Sequence, residues 1–341
     1  MRLLRFARRG AVSALVTTAL VAAVATAAQA DPVKIHMGWV AAPASLVPIL
    51  FPKDGIAKHN GVSYTVEATH FQGSPLQITA LQAGEIDIAA LGFSSFSLAV
   101  ENAGMNDLKI IADEIQWGVA GYGTADFAVL KDGPIQKVED LKGKVLVTNG
   151  LGGGLDMIMK TMMLKRGLQD KRDFSVIEIN FPNMKKVLLD KTADLVPAVL
   201  PFSRDPEFVA NTRKLFTTAD AMGHVALSFW VAHDGFLKKN RAAMIDMLED
   251  YVRVIHWYLD PKNHDEAVKI VTDFTKVPAP LLQDWLFTKA DNYRDPDGLP
   301  DIDAVTRNIH NQKELGLIKA DLDARQFDGL SLIKEAAARV K

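Results

Sequence analysis

Three short segments rich in glycine and serine carry the most legible chemistry of the chain: Gly73-Ser74, Gly92-Phe93-Ser94-Ser95 and Asn149-Gly150-Leu151-Gly152-Gly153-Gly154. Each follows an apolar run and opens a segment of helical character. A helix start exposes unpaired N–H groups and about half a positive charge. Glycine lets a bound group approach the backbone and serine adds a hydroxyl donor, so such ends suit anions. No Lys or Arg lies inside the three segments, and Arg204 is the nearest cation on a candidate loop. An anion here is held mainly by neutral dipoles. Aromatic and small residues occupy equivalent places: Trp39 with Ala41 and Ala42, Trp117 with Tyr122, and Pro201-Phe202-Ser203. The candidate binding positions are Trp39, Ala41, Gly73, Ser74, Gly92, Phe93, Ser94, Tyr122, Asn149, Gly152, Gly153, Gly154, Pro201 and Phe202. Taken singly, each also fits a helix cap or a core residue. What joins them is position, because all follow predicted strands at one end of the sheets, where parallel α/β folds bind ligands.

Catalytic signatures are weak. The eight histidines are scattered, with no pair at metal-binding spacing on one helix face. The glycine run lacks both the G-x-G-x-x-G spacing and a Walker lysine, and there is no G-x-S-x-G elbow. Glu85 and Asp87 cap a strand start, Asp113-Glu114 reads as a solvated turn, and Met157, Met159, Met162 and Met163 read as core filler on a helix. Cysteine is absent, which excludes disulfides, thiolate metal sites and cysteine nucleophiles. No catalytic residue, metal or cofactor is expected.

The elements that position these loops follow a repeating beat. Val33-Ile35-Met37 alternates as a strand, and Val62 to Ala68 does so again. A short helix broken by Pro52 is expected from Ile49 to Lys58. Ser74 is the expected N-cap of the next helix, with Pro75 at its first position and Gly84 at its end. Ile86 to Leu91 is too apolar to be half exposed and belongs mid-sheet. A fourth strand runs from Leu108 to Ala112. The alternation implies a parallel sheet with right-handed crossovers. It restarts after Gly121-Tyr122-Gly123, with strands at Phe127–Leu130, Lys144–Thr148, Ser175–Ile179 and Asp194–Val199, helices at Leu155–Arg166 and Met184–Asp190, and a strand at Ala226–Ala232. Helices are expected at Ala243–Leu259, Glu266–Phe274 and Leu281–Phe287. The organisation is that of two α/β lobes, residues 31–121 plus 227–341 and residues 122–226, with crossings near 121–123 and 221–226.

The N-terminus reads as an export signal. Arg2, Arg5, Arg8 and Arg9 precede an uncharged stretch from Ala11 to Ala28, and Ala28-Gln29-Ala30 offers a small-x-small cleavage pattern. Cleavage after Ala30 leaves Asp31 first. A retained anchor fits less well, because the stretch is mostly alanine with Thr17, Thr18 and Thr26; Arg8-Arg9 leaves open the twin-arginine route. Without the four arginines, 35 basic residues face 41 acidic ones, a net charge of −6. That gives no electrostatic reason for nucleic acid or anionic lipid as partner. A lipoprotein needs a cysteine at the cleavage point, so the expected product is a free periplasmic protein.

The runs Phe71-Gln72-Gly73-Ser74, Ala80 to Ala89 with Glu85-Ile86-Asp87, and Leu91-Gly92 resemble the first lobe of periplasmic solute-binding proteins of the nitrate/sulfonate/taurine type. Val138 to Val145 with its glycine-rich turn resembles the second lobe of that family, and His256 to Pro261 and Leu315 to Ile318 its helical tail. The resemblance implies a type II two-lobed hinge that closes on a small solute and delivers it to an ABC importer, acting as a monomer. It implies contacts from the loop after strand one, Gly73-Ser74, Gly92-Phe93, Tyr122, the glycine turn and Pro201-Phe202. Leu200 stands where that family carries an aromatic before the proline, and Phe93 where a smaller residue is common, which argues against plain taurine or nitrate. The expected ligand is a small organic anion, a sulfonate, sulfate ester or carboxylate, with an apolar or aromatic body. The same fold serves a thiamine-pyrimidine synthase, which relies on a cysteine-rich motif that this chain lacks. A receptor presenting its ligand to a sensor is the other alternative.

Overall fold

The computed structural model describes residues 31–286, 288–319 and 321–340. The expected signal segment and its cleavage site lie outside the described residues. Residues 32 to 341 form one compact unit.

The first sheet is built from β1 (Val33–Trp39), β2 (Tyr64–His70), β3 (Ile88–Leu91), β4 (Leu108–Trp117) and β10 (Val225–His233), in the order β2-β1-β3-β10-β4. β1 runs parallel to β2 and β3, whereas β10 runs antiparallel to both β3 and β4. The purely parallel sheet expected from the alternation is therefore interrupted by one reversed strand. β3 takes the centre, as its apolar run requires, and every one of its residues is buried.

The second sheet repeats the plan. β5 (Asp126–Leu130), β6 (Lys144–Thr148), β7 (Phe174–Glu178), β8 (Val196–Ala198) and β9 (Thr212–Thr217) form two ribbons, β6-β7 and β8-β5-β9. A parallel bridge between Leu146 and Leu195 joins them. The resulting order, β7-β6-β8-β5-β9, matches the first sheet strand for strand, with β5 as the reversed member. The chain passes from β4 to β5 and returns into β10, so each sheet's reversed strand is the one supplied by a crossing.

Helices cover the sheets: α1 (Val47–Leu50), α2 (Ser74–Gln82), α3 (Phe93–Ala103), α4 (Gly154–Lys165), α5 (Phe181–Leu189), α6 (Pro206–Asn211), α7 (Thr218–Met222), α8 (Asp234–Lys239), α9 (Arg241–Leu259), α10 (His264–Thr275), α11 (Ile302–Glu314) and α12 (Leu330–Val340). One apolar cluster joins α3, α4, α11 and residues of both sheets, among them Phe96, Phe127, Leu146, Met159 and Phe229. A second seats α9 and α12 on the opposite side of the first sheet through Trp230, Tyr251 and Ile333. The four methionines of α4 are buried in the first cluster.

Several expected elements differ. The helix from Ile49 shrinks to α1, because Pro52 removes an N–H donor and turns follow it. The segment from Leu281 holds only a single 3-10 turn, Ala279–Leu281. Gly73, not Ser74, is the N-cap of α2, and Ser74 is its first helical residue. The largest departure is β4, which continues five residues past Ala112. Asp113 and Glu114 are 2% and 4% exposed, so they form no solvated turn.

Candidate functional site

A cavity of about 100 Å³ opens between the loops at corresponding ends of the two sheets. From the first sheet it is lined by Ala41, Ala44, Ser45, Ser74, Glu114, Ile115, Trp117, Leu227 and Ser228, with Asn292 beside them. From the second it receives Asn149, Gly154, Leu155, Phe181, Val199 and Leu200. Glu114 is the one ionisable side chain in this lining.

The β4–β10 pair shapes the first wall. Asp113 pairs with Phe229 and Ile115 with Ser228, so Glu114 is an extra residue on β4; Gln116 pairs with Ala226, so Leu227 is an extra residue on β10. Such bulges bend a strand and re-aim its side chains. Here they turn Glu114 and Leu227 toward the cavity. Glu114 Oε2 accepts the Ser228 hydroxyl at 2.5 Å, while no hydrogen bond of ordinary geometry reaches Oε1. Burial pushes the Glu114 carboxyl above its usual range, against the opposing effects of Ser228, Ser45, Arg294 and Trp230. Burial likewise pushes its neighbour Asp113 up to about 8.

Arg294 fixes the rest of this wall. It is 3% exposed and donates to the carbonyls of Glu114 at 2.8 Å, Pro43 at 3.2 Å and Ala44 at 2.6 Å. Its guanidinium lies 5.3 Å from the centre of the Tyr258 ring, and the Tyr258 hydroxyl donates to Asp291. The guanidinium thereby ties the loop after β1 to β4. Trp117 completes the wall, its indole N–H donating to Asn292 Oδ1 at 2.7 Å.

The seam between the two sheets is closed by backbone approach. Gln72 Nε2 donates to the Asn149 carbonyl at 3.1 Å, and Asn149 Nδ2 donates to the Gln72 carbonyl at 3.0 Å. A Cβ on Gly73 would stand 3.4 Å from the Gly150 Cα. The N-termini of α3 and α4 pack onto the Leu227 bulge: a Cβ on Gly92 would lie 2.7 Å from the Leu227 carbonyl oxygen, and one on Gly154 2.9 Å from Leu227 Cδ1.

Of the expected site residues, the structure brings Ala41, Ser74, Asn149 and Gly154 to the cavity. The others do not line it. Trp39 faces away, 4.6 Å from the His70 ring and 6.0 Å from that of Phe274. Gly73 belongs to the seam. Gly92 is reserved for the Leu227 contact, and Phe93 and Ser94 are fully buried in the core, because the first turn of α3 points into the sheet. Tyr122 packs edge-on against Tyr293 at 5.0 Å. Gly152 and Gly153 shape the turn: Gly152 takes a left-handed φ of +79° and donates its N–H to Asp156, while Gly153 hydrogen-bonds the Gly150 carbonyl. Pro201 is buried, and Phe202 stacks on the outer side of Phe181 at 6.2 Å. Sequence reading missed Glu114, Ser228, Leu227, Phe181 and Arg294. The one signal for Glu114 was a pair of acids directly continuing an apolar strand.

Among the described residues, His59, Asp246 and Glu249 form one cluster with metal-like spacing. Guanidinium groups already occupy it: Arg253 contacts Glu249, and Arg339 lies 3.2 Å from Asp246 and 3.7 Å from Glu249. None of these residues lines the cavity. Also among the described residues, no helix is long and apolar enough to cross a membrane.

Comparison with known proteins places this geometry. The periplasmic aliphatic sulphonate-binding protein SsuA of Escherichia coli superposes with a TM-score of 0.65 at 17% identity, over 89% of this chain and 100% of that one. The periplasmic nitrate-binding protein NrtA of Synechocystis gives 0.71 at 15% identity, over 91% and 89%. The desulfurization enzyme DSZB gives 0.63 at 13% identity, over 91% and 100%. These likenesses establish the type II periplasmic-binding-protein fold, two lobes each built on a parallel-rich sheet flanked by helices. No curated protein matches by sequence. The NMT1-like family model matches residues 28–272, well over half of the sequence, and the chain belongs to the NMT1-like family.

Proposed function

We propose that the chain is the periplasmic solute-binding component of an ABC importer, a monomer that closes on one small organic solute and hands it to the permease. Its lobes are residues 31–121 with 227–341 and residues 122–226, the export signal being residues 1–30. The observation that carries this reading is the cavity itself. It lies between the two sheets, is bounded by both, and is shut by the paired Gln72 and Asn149 hydrogen bonds, which must break for a solute to enter. SsuA and NrtA, which share the fold, are sulphonate- and nitrate-binding proteins.

The fold also serves an enzyme, DSZB, so the cavity lining has to favour binding over turnover. No histidine, lysine or cysteine is among its lining residues. The organic anion expected from sequence has the starts of α2 and α4 in its favour, since Ser74 and Gly154 bring neutral donors to the cavity. Leu155, Phe181, Val199, Leu200 and Leu227 suit an apolar body.

Native mass spectrometry of the protein isolated gently from the periplasm tests the reading. One small solute per chain is expected, and it should be missing from Ala41→Trp, whose indole fills the cavity. A chain that carries no solute, or a solute retained equally by Ala41→Trp, contradicts it. At a hundredfold excess over its dissociation constant the solute should add about 2.7 kcal/mol of stability.

A further inference from the structure

The acid in the cavity wall lacks what buried acids normally have. Glu114 is 4% exposed; Ser228 engages Oε2, while Ser45 and Trp230 act on the carboxyl from nearby without a hydrogen bond of ordinary geometry to Oε1. Oε1 has no hydrogen-bond partner. Buried polar atoms are nearly always paired, and an exception calls for a missing partner. A buried carboxylate without a counter-charge is costly to ionise. The nearest buried cation does not supply that charge by direct contact. Arg294 acts on the carboxyl through space; its Nη groups donate to the carbonyls of Glu114, Pro43 and Ala44, its Nε has no partner, and it does not line the cavity. Nor does any other cationic side chain. The bulge that projects Glu114 from the β4 ladder serves no strand pairing of its own.

An anionic ligand would oppose ionisation of this acid further, with no cationic side chain in the lining to offset it. A ligand carrying a protonated nitrogen meets both needs at once: it satisfies Oε1 and sets a positive charge in direct contact with the carboxyl. Charge-assisted hydrogen bonds of this kind are the strong ones. We propose that Glu114 receives the protonated nitrogen of the ligand, an amine or amidine, while Leu155, Phe181, Val199 and Leu227 hold its apolar body. This rests on the solute-binding reading above and replaces the expected anion with a nitrogen base.

Thermal-shift titration tests the assignment with four probes of matched size: benzylamine and benzamidine against benzoate and benzenesulfonate, at equal concentration and ionic strength. The two bases should raise the melting temperature of the wild-type protein and the two anions should not. In Glu114→Gln, which keeps an acceptor for Ser228 but no charge, affinity for the bases should fall at least about tenfold. The wild-type comparison stands even if that variant folds poorly. Stabilisation by the anions with the bases silent overturns the assignment, as does stabilisation by the bases that is unchanged in Glu114→Gln. If the anion effect disappears in Ala41→Trp, the cavity still binds solute and only the ligand class is wrong. If no probe acts and the isolated protein carries no solute, the solute-binding reading falls with it.

Discussion

The two sheets share one strand order and meet at one cavity, yet they build opposite walls. The first sheet presents Glu114, Ser45, Ser74 and Ser228, fixed from behind by Arg294 and shaped by two bulges. The second presents Leu155, Phe181, Val199 and Leu200, with Asn149 as its polar member at the seam. A common fold therefore leaves the division of labour to local irregularity. On the proposed reading, the polar groups of the first wall would read ligand chemistry, while the second wall, helped by Leu227 of the first, would cover ligand bulk. What separates them is burial of charge, which costs stability and so marks the place where the fold retains polar groups for a purpose.

The comparison breaks most sharply at Arg294. Arg294→Met strands three carbonyls without their donor and removes a positive charge that acts on Asp113 and Glu114 through space. It should cost about 3–5 kcal/mol, read from the denaturant midpoint. A loss below 1 kcal/mol would mean that the first wall does not depend on this guanidinium.

The two helix starts on the Leu227 bulge sharpen the contrast. At Gly92 an added Cβ meets a backbone carbonyl at 2.7 Å, which cannot step aside; at Gly154 it meets the tip of a leucine at 2.9 Å, which can. Gly92→Ala should destabilise by about 1–3 kcal/mol, and Gly154→Ala by less. Equal effects would show that the first wall yields as easily as the second.

Asp113→Asn probes the same wall through its pH dependence rather than at a single pH. Folded Asp113 titrates at about 8, whereas an unfolded aspartate titrates near 3.9. Between these values the folded state holds a proton that the unfolded state has lost, so stability falls as pH rises through this window and levels off above it. The asparagine variant lacks that contribution. Its melting temperature should match the wild type below about pH 4 and fall less steeply from there toward pH 8. Parallel curves would show that Asp113 is not held neutral by burial.

Sequence made the strand ends legible but not the side chains that face inward from them. β3 announced itself as central because all of its residues are apolar, and the glycine turn before α4 marked a real loop at the cavity. Ser74 and Asn149 were reachable because they lie at helix and strand ends. Glu114 was not, since its burial depends on Ser228 and Arg294, 114 and 180 positions away. β9 escaped for a related reason: Thr212 to Thr217 carries Arg213 and Lys214 on an edge strand, which hides its alternation. Phe93 and Gly92 were placed at the right helix start, but that start serves the Leu227 bulge rather than a ligand.

The central claim is that solute enters by parting the two sheets. Gly73 and Gly150 face each other across the seam, neither at positive φ, so a cysteine fits each position and the pair lies within disulfide reach. The chain has no other cysteine to interfere. In Gly73→Cys/Gly150→Cys, exchange of the solute found by native mass spectrometry for an isotope-labelled copy should stop when the disulfide is formed and resume on reduction. Exchange at the same rate in the oxidised and reduced protein would contradict the account.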